Sequence, residues 1–362
     1  MSLQGETLQH KGMSLQGETL QHKRNTSSSR EECPLAEERP LAEECPLTIE
    51  RSFLMKKVLI TPRSFPQSGK EAYKLLRENG FDIIDNTSGK SFNEEQMIEQ
   101  CATVDAVIVG VDPITEKVLK NAKKLKAISK YGAGLDNVDL KTAEELGIKV
   151  DRAAGTNAVS VAELAIGLFF TLARNILYSA KSVKSGGWDR LRGVELTGKI
   201  VGILGLGNIG KEVARMASGL GMNVIGYDPY VNKDDESIKK YSIKIMDKAG
   251  VIKNADFLTL HMPLTDETKY IINSESINSM KSTSFIVNTA RGELVDEDAL
   301  YDALVSGKIA GAAEDVFSKE PPGEHRLLKL DNFILLSHIG AFTKEANEKM
   351  ALKSAENLIR ML

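Results

Sequence analysis

The sequence lacks the features of several whole classes of protein. It has three cysteines, Cys33, Cys45 and Cys101, too few for a disulfide scaffold and without metal-ligand spacing. They suit a reducing compartment, so a cytoplasmic location is expected and no metal site is. Charge is almost balanced, at −3 overall, which gives neither nucleic acid nor an anionic membrane a reason to bind. The longest apolar run, "LAIGLFFTLA" at 164–173, is about half of the roughly 20 residues a bilayer crossing needs. It reads as a buried helix. No basic segment followed by an apolar one opens the chain, so no secretory signal is expected. What remains, with 42% hydrophobic and 27% charged residues over 362, is a globular chain long enough for two domains.

Residues 1–54 differ from the rest. "MSLQGETLQHK" occurs twice unchanged, and "EECPLA", "EERPLA" and "EECPLT" follow with a period of six. Units this short with a proline in each bury almost nothing. The segment reads as a disordered or cloning-derived appendage, and "MKKVLI" from Met55 as the natural beginning of the folded body.

From Met55 short apolar runs alternate with amphipathic stretches. "KKVLIT", "FDIID", "VDAVIVG" and "LKAISKYG" read as strands, separated by helices such as "SGKEAYKLLRENG". This is the pattern of βαβ units and a parallel sheet. A long helix, "NAVSVAELAIGLFFTLARNI" at 157–176, with Asn157 or Ser160 as candidate cap, leads into a second alternation. Its strands are "KIVGILG", "NVIGYD", "ADFLTLH", "SFIVNTA", "IAGAAEDVF" and "FILLSH". The last amphipathic segment, from Lys344 on, is expected to pack back on the first domain, leaving the second as an insert with a cleft between them.

The second alternation opens on "VGILGLGNIGKEV". Gly205 permits a tight turn, Gly207 lets backbone approach a pyrophosphate, and Gly210 lets helix and strand close up. The helix N-terminus beyond offers free N–H groups to phosphate. Asp228 ends the next strand, eighteen residues after Gly210, where a carboxylate accepts hydrogen bonds from ribose hydroxyls. It repels a 2′-phosphate, and Pro229 follows rather than a basic residue. The expected cofactor is NAD rather than NADP.

Ligands of open parallel sheets sit beyond the carboxyl ends of the strands. The later strands end at His261, at Thr289 before Arg291, at Asp315 before Glu320, and at His338. An imidazole that exchanges a proton, a carboxylate that orients it and a guanidinium that forks onto a 2-oxo acid suit hydride transfer to or from a secondary alcohol. His261 reads equally well as a packing residue, and His325 as a surface one.

These stretches, with "YGAGLDNVDL", "NTARGELVDEDAL", "DVFSKEPP" and "SHIGAFTKEA", resemble the D-2-hydroxyacid dehydrogenases, and within them the phosphoglycerate dehydrogenase branch. The resemblance runs from about Met55 to the end. It implies an α/β chain of two Rossmann-like or flavodoxin-like domains with parallel sheets. The NAD-binding domain, 157–335, is inserted into a substrate domain of 55–156 and 336–362. It implies Arg291, Glu320 and His338 as catalytic residues. It implies cofactor contacts at Gly205, Gly207, Asn208, Ile209, Gly210, Asp228, Pro263, Thr289, Asp315 and Gly340. Substrate contacts fall on the N–H groups of Ala133 and Gly134, on Arg291, and on Lys130, where a basic residue meets a phosphate. A small 2-hydroxy or 2-oxo acid is the implied partner, with 3-phosphoglycerate favoured and a glyoxylate or hydroxypyruvate reductase as alternative. A homodimer through the cofactor domain is implied too. The family also contains NAD-sensing corepressors, a reading for which no peptide-binding surface is visible here. Two departures stand out. "DRAAGTN" replaces the Thr-Pro pair of many relatives, beside Ala153. The sequence also stops soon after the closing helix, so the serine feedback of longer relatives is not expected.

Overall fold

The computed structural model describes residues 55–362 apart from Lys233. The repetitive segment 1–54 lies outside the described residues. Two sheets organise the rest, and every strand pair in both is parallel. The first is ordered β2-β1-β3-β4-β5, with β1 Lys56–Ile60, β2 Phe81–Asp85, β3 Ala106–Val109, β4 Ala127–Lys130 and β5 Lys149–Arg152. The second is ordered β12-β11-β10-β9-β6-β7-β8. Its strands are β6 Ile200–Leu204, β7 Asn223–Tyr227, β8 Lys244–Ile245, β9 Phe257–Leu260, β10 Phe285–Asn288, β11 Gly311–Glu314 and β12 Phe333–Leu335.

Parallel sheets are covered on both faces, which is why their strands read as continuous apolar runs. Residues alternate between the two covering layers. In β3, Val107 and Val109 join one buried cluster, and Ala106 and Ile108 the other. In β6, Val201 and Ile203 face one side of the second sheet, and Leu204 the opposite side. Ala351, Ala355 and Leu358 of the closing helix, Lys344–Met361, share a cluster with Ala106 and Ile108, so this helix covers the first sheet.

The helix expected over 157–176 is present as Ala158–Ala173, and a second helix follows it. Ala158–Ala173 ends, Asn175 takes a left-handed φ of 52°, and Ile176–Lys184 leaves at 63°. Asn157 stands at the cap position but its side chain makes no cap bond. Ser160 lies inside the helix, and its hydroxyl meets Thr343 Oγ1 at 2.8 Å. The apolar helix is a core element, with Ala162, Phe169 and Leu172 buried against Val201 and Phe257 of the second sheet. Among the described residues no single helix is long and apolar enough to cross a membrane.

Strand order in the second sheet reverses between β6 and β9. A crevice opens beyond the carboxyl ends of strands at such a reversal. The residues that follow β6 and β9 therefore border that crevice.

Candidate active site

β6 runs into Gly205, whose φ of +97° favours glycine, and a side chain there would strike the His261 carbonyl beyond β9. A side chain at Gly210 would strike the carbonyl of Gly205. The turn is thus closed by backbone against backbone. Gly207 caps the helix Asn208–Gly219 without a side-chain bond, and a Cβ there would meet nothing within 4 Å. The first N–H groups of that helix, at Asn208 and Ile209, have no acceptor among the described residues.

Asp228 follows β7 and ties this turn to its neighbour. Its two carboxylate oxygens accept from the N–H groups of Leu206 and Tyr230, both at 2.8 Å. Gly207, Asn208, Ile209 and His261 line a cleft of about 220 Å³ together with Ala133, Arg152, Ala154, Gly155 and Asn157. The cleft therefore lies between the glycine turn and the loops beyond β4 and β5. Asn157 Oδ1, His261 Nδ1 and, after β10, Thr289 Oγ1 are buried without a partner among the described residues. Buried polar atoms are normally paired. A dinucleotide that brings donors and acceptors to this wall fits the arrangement. His261 is kept neutral: burial pushes its pKa down to about 3, and its Nε2 meets Thr259 Oγ1 at 2.9 Å. Pro263 lies in the loop beyond β9 and is exposed, its carbonyl accepting from Thr268 Oγ1 at 2.8 Å.

Asp315, directly after β11, is buried, and its carboxylate accepts from Ile339 N at 2.8 Å and Gly340 N at 2.7 Å. Burial raises its pKa against those two bonds. The carboxylate anchors the segment that carries His338, whose own φ is +55°. His338 Nδ1 meets Glu320 Oε2 at 2.8 Å, and Glu320 Oε1 accepts from Phe317 N at 3.0 Å. The hydrogen bond to Glu320 raises the imidazole pKa, opposed by partial burial and assisted by the charges of Glu320 and Asp315. Burial pulls Glu320 upward, yet the bonds from His338 and Phe317 hold it below the usual carboxylate range. The carboxylate fixes the ring through Nδ1, and Nε2 has no hydrogen-bond partner among the described residues.

Arg291 reaches the loop beyond β4. Its Nε and Nη2 donate to Asp136 Oδ2 at 3.1 and 2.6 Å, and Nη1 to Ala290 O at 2.6 Å. A side chain at Gly134 would overlap this guanidinium. Its charge is felt by both His338 and Glu320. Of the five guanidinium N–H groups, two remain, one on each terminal nitrogen. The N–H groups of Ala133 and Gly134 have no acceptor among the described residues. Burial would raise Asp136, but the Arg291 contact holds it low.

Lys130, at the end of β4, is 9% exposed and donates to Gly110 O and, at 2.7 Å, to Asn137 Oδ1. Burial, with the Arg291 charge, lowers its pKa to about 8. Its ammonium thus ties the loop beyond β4 to the one beyond β3.

The structure brings Arg291, Glu320 and His338 to one edge of the second sheet, facing the loop of Ala133 and Gly134. Sequence reasoning missed Asp136 and Arg152, and read Asn157 only as a helix cap. Asp136 stands inside "YGAGLDN", a segment read only for its backbone N–H groups. Arg152, which donates to Ala133 O at 2.9 Å, ends a strand too polar to stand out.

Residues 166–340 match the family described as D-isomer specific 2-hydroxyacid dehydrogenase, NAD binding domain. D-3-phosphoglycerate dehydrogenase of Methanocaldococcus jannaschii is 42% identical over 312 residues, covering 85% of this chain and 58% of that protein. The chain thus spans little more than half the length of that relative. Hydroxypyruvate reductase of Thermotoga maritima is 41% identical over 299 residues, 81% of this chain and 95% of that protein. A glyoxylate reductase from Paecilomyes thermophila superposes with a TM-score of 0.76 at 29% identity, covering 84% of this chain and 94% of that one. With the glycine turn, the strand order and these likenesses in place, the chain belongs to the D-isomer-specific 2-hydroxyacid dehydrogenase family and carries that family's NAD-binding domain.

Proposed function

We propose that the protein interconverts a small D-2-hydroxy acid and its 2-oxo acid, with 3-phosphoglycerate as the favoured substrate. The observation that carries the reading is the 2.8 Å His338–Glu320 pair beside an arginine that reaches the opposite loop. The nicotinamide cofactor, when bound, would accept the hydride as NAD and supply it as NADH. Gly205, Gly207, Asn208, Ile209 and Gly210 would hold its pyrophosphate, and Asp228 the adenosine ribose. Pro263, Thr289, Asp315 and Gly340 would border its remainder. The lobes in this reading are 55–156 with 336–362 for substrate and 157–335 for cofactor.

The chain's own residues do the rest. The N–H groups of Ala133 and Gly134 take the substrate carboxylate. The two uncommitted N–H groups of Arg291 fork onto the carboxylate and the 2-oxo group. His338 Nε2 gives a proton to the oxygen during reduction and takes it back during oxidation. Glu320 keeps the ring oriented and favours its charged form.

Relatives named D-3-phosphoglycerate dehydrogenase and a lysine at the end of β4 support the phosphorylated substrate. The bonds of Lys130 to Gly110 and Asn137 favour a second reading, a hydroxypyruvate or glyoxylate reductase. Steady-state kinetics on 3-phosphoglycerate, D-glycerate and glyoxylate, with both NAD and NADP, separate the two. In the first reading Lys130→Ala raises KM for 3-phosphoglycerate about tenfold, the effect of one charge-assisted contact. An unchanged KM selects the second.

We also propose a homodimer in the cytoplasm. Phe170, Ile176, Leu177, Val183 and Leu191 are exposed on one stretch of the cofactor lobe, and Trp188 is 78% exposed. Contiguous apolar surface of this kind marks association, and a second copy is the occupant. Sedimentation equilibrium at micromolar concentration should give twice the chain mass; a monomer would refute this.

A further inference from the structure

Glu314 has no part in the chemistry above, and its position is costly. It is the last residue of β11, completely buried, and follows the small residues Gly311, Ala312 and Ala313. Oε1 accepts from Asn288 Nδ2 at 3.3 Å, while Oε2 has no partner among the described residues. Burial raises its pKa to about 8, with the Glu297 carboxylate adding to the rise. An apolar side chain here would avoid burying an unpaired oxygen.

Its neighbour supplies a reason. Asn288 lies opposite Glu314 in the register of β10 and β11. The Asn288 amide uses every donor it has. Nδ2 donates to Arg291 O at 2.9 Å and to Glu314, while Oδ1 accepts from Ala290 N at 3.1 Å. The side chain thereby staples residues 288–291 into one turn. A flipped amide would set its oxygen against both the Arg291 carbonyl and the Glu314 oxygen. With any proton on the unpartnered Oε2, Oε1 stays an acceptor, makes that orientation unfavourable and holds Nδ2 on Arg291. On the far side of the turn, any side chain at Gly292 would collide with the backbone of Phe317 and Ser318. The backbone of Arg291 is therefore held from two directions.

We propose that Glu314 is a positioning residue for substrate recognition, acting through the Asn288 amide to fix the turn that presents Arg291 to the substrate carboxylate. This rests on the role given to Arg291 above. The test compares wild type with Glu314→Leu and Glu314→Gln. It reads KM for the 2-oxo acid, oxalate affinity of the NADH-loaded protein by calorimetry, and NADH affinity by fluorescence. Glu314→Leu should raise KM and weaken oxalate binding about tenfold, with NADH affinity held within about twofold. Glu314→Gln keeps an acceptor oxygen and should remain within about threefold of wild type. Wild-type values in the leucine variant, equal damage in the glutamine variant, or a parallel loss of NADH affinity would each overturn the proposal. Glu314→Met replaces Glu314→Leu should the latter fail to fold. Failure of both, read by circular dichroism, would also overturn it, because Glu314 would then serve the fold rather than the turn. A wild-type protein that turns over no 2-oxo acid counts against the functional reading instead, and the oxalate comparison still judges Glu314.

Discussion

His338→Ala should lower kcat by about 10²–10⁴-fold while NADH binds as before. The size follows from the geometry. The imidazole is held through Nδ1 by Glu320 at 2.8 Å, and its backbone by the Asp315 carboxylate through the next two N–H groups. Half of its side chain is exposed, so the ring is open to a ligand from outside its Glu320 contact. Alanine removes the proton donor and leaves Glu320 with its bond from Phe317 N, so no buried charge is orphaned and the fold should survive. Stopped assays for turnover and fluorescence titration for NADH separate the two effects. A kcat within a few-fold of wild type would take His338 out of the mechanism. Equal loss of NADH affinity would make its contribution one of binding.

Arg291→Lys is the second large effect, although charge is conserved. Lysine is a point charge on a flexible stem and cannot fork onto two oxygens while also meeting Asp136 and Ala290. The expected loss in kcat/KM for the 2-oxo acid is about 100-fold, as for the loss of charge-assisted bonds made at once. Asp136 then keeps at best one partner across the cleft. Because Asn288 holds the backbone of residue 291 and not its side chain, the turn should persist. Kinetics that match wild type would mean the guanidinium does not touch substrate.

Much of this fold is legible in the sequence, for physical reasons. Strands buried on both faces, such as "AVIV" in β3 and "FLTL" in β9, need uninterrupted apolar residues and announce themselves. The expectation of parallel sheets holds in both lobes. Two edge strands did not show. β5 reads "KVDR", partly exposed along its length, and β8 is two residues long. The helix Ile176–Lys184 did not show either, since it is short and begins directly after Asn175, whose φ is +52°.

The site divides in the same way. Residues that follow strands of one parallel sheet must reach one edge, so Thr289, Arg291, Asp315, Glu320 and His338 could be grouped before their distances were known. Their partners could not. The pairing of Arg291 with Asp136 joins residues 155 positions apart, and that of Asp315 with Gly340 joins residues 25 apart. Which oxygen meets which N–H depends on how two loops pack, and no local pattern encodes that. The partners of Lys130 were hidden too: the family resemblance implies a phosphate contact there, and in the structure its ammonium also bonds Gly110 and Asn137.

In the proposed reaction His338 carries the exchanged proton and Glu320 sets when it is charged. Glu320 raises the imidazole pKa, so the wild-type ring stays protonated to a higher pH than an isolated histidine. Reduction needs the protonated ring and should fall as pH rises through that pKa. The pH dependence of kcat/KM for 2-oxo acid reduction, measured on wild type and Glu320→Gln, decides the matter. The account predicts that the falling limb moves to lower pH in the variant, because the ring loses its anionic partner. A falling limb at the same pH in both proteins would contradict it.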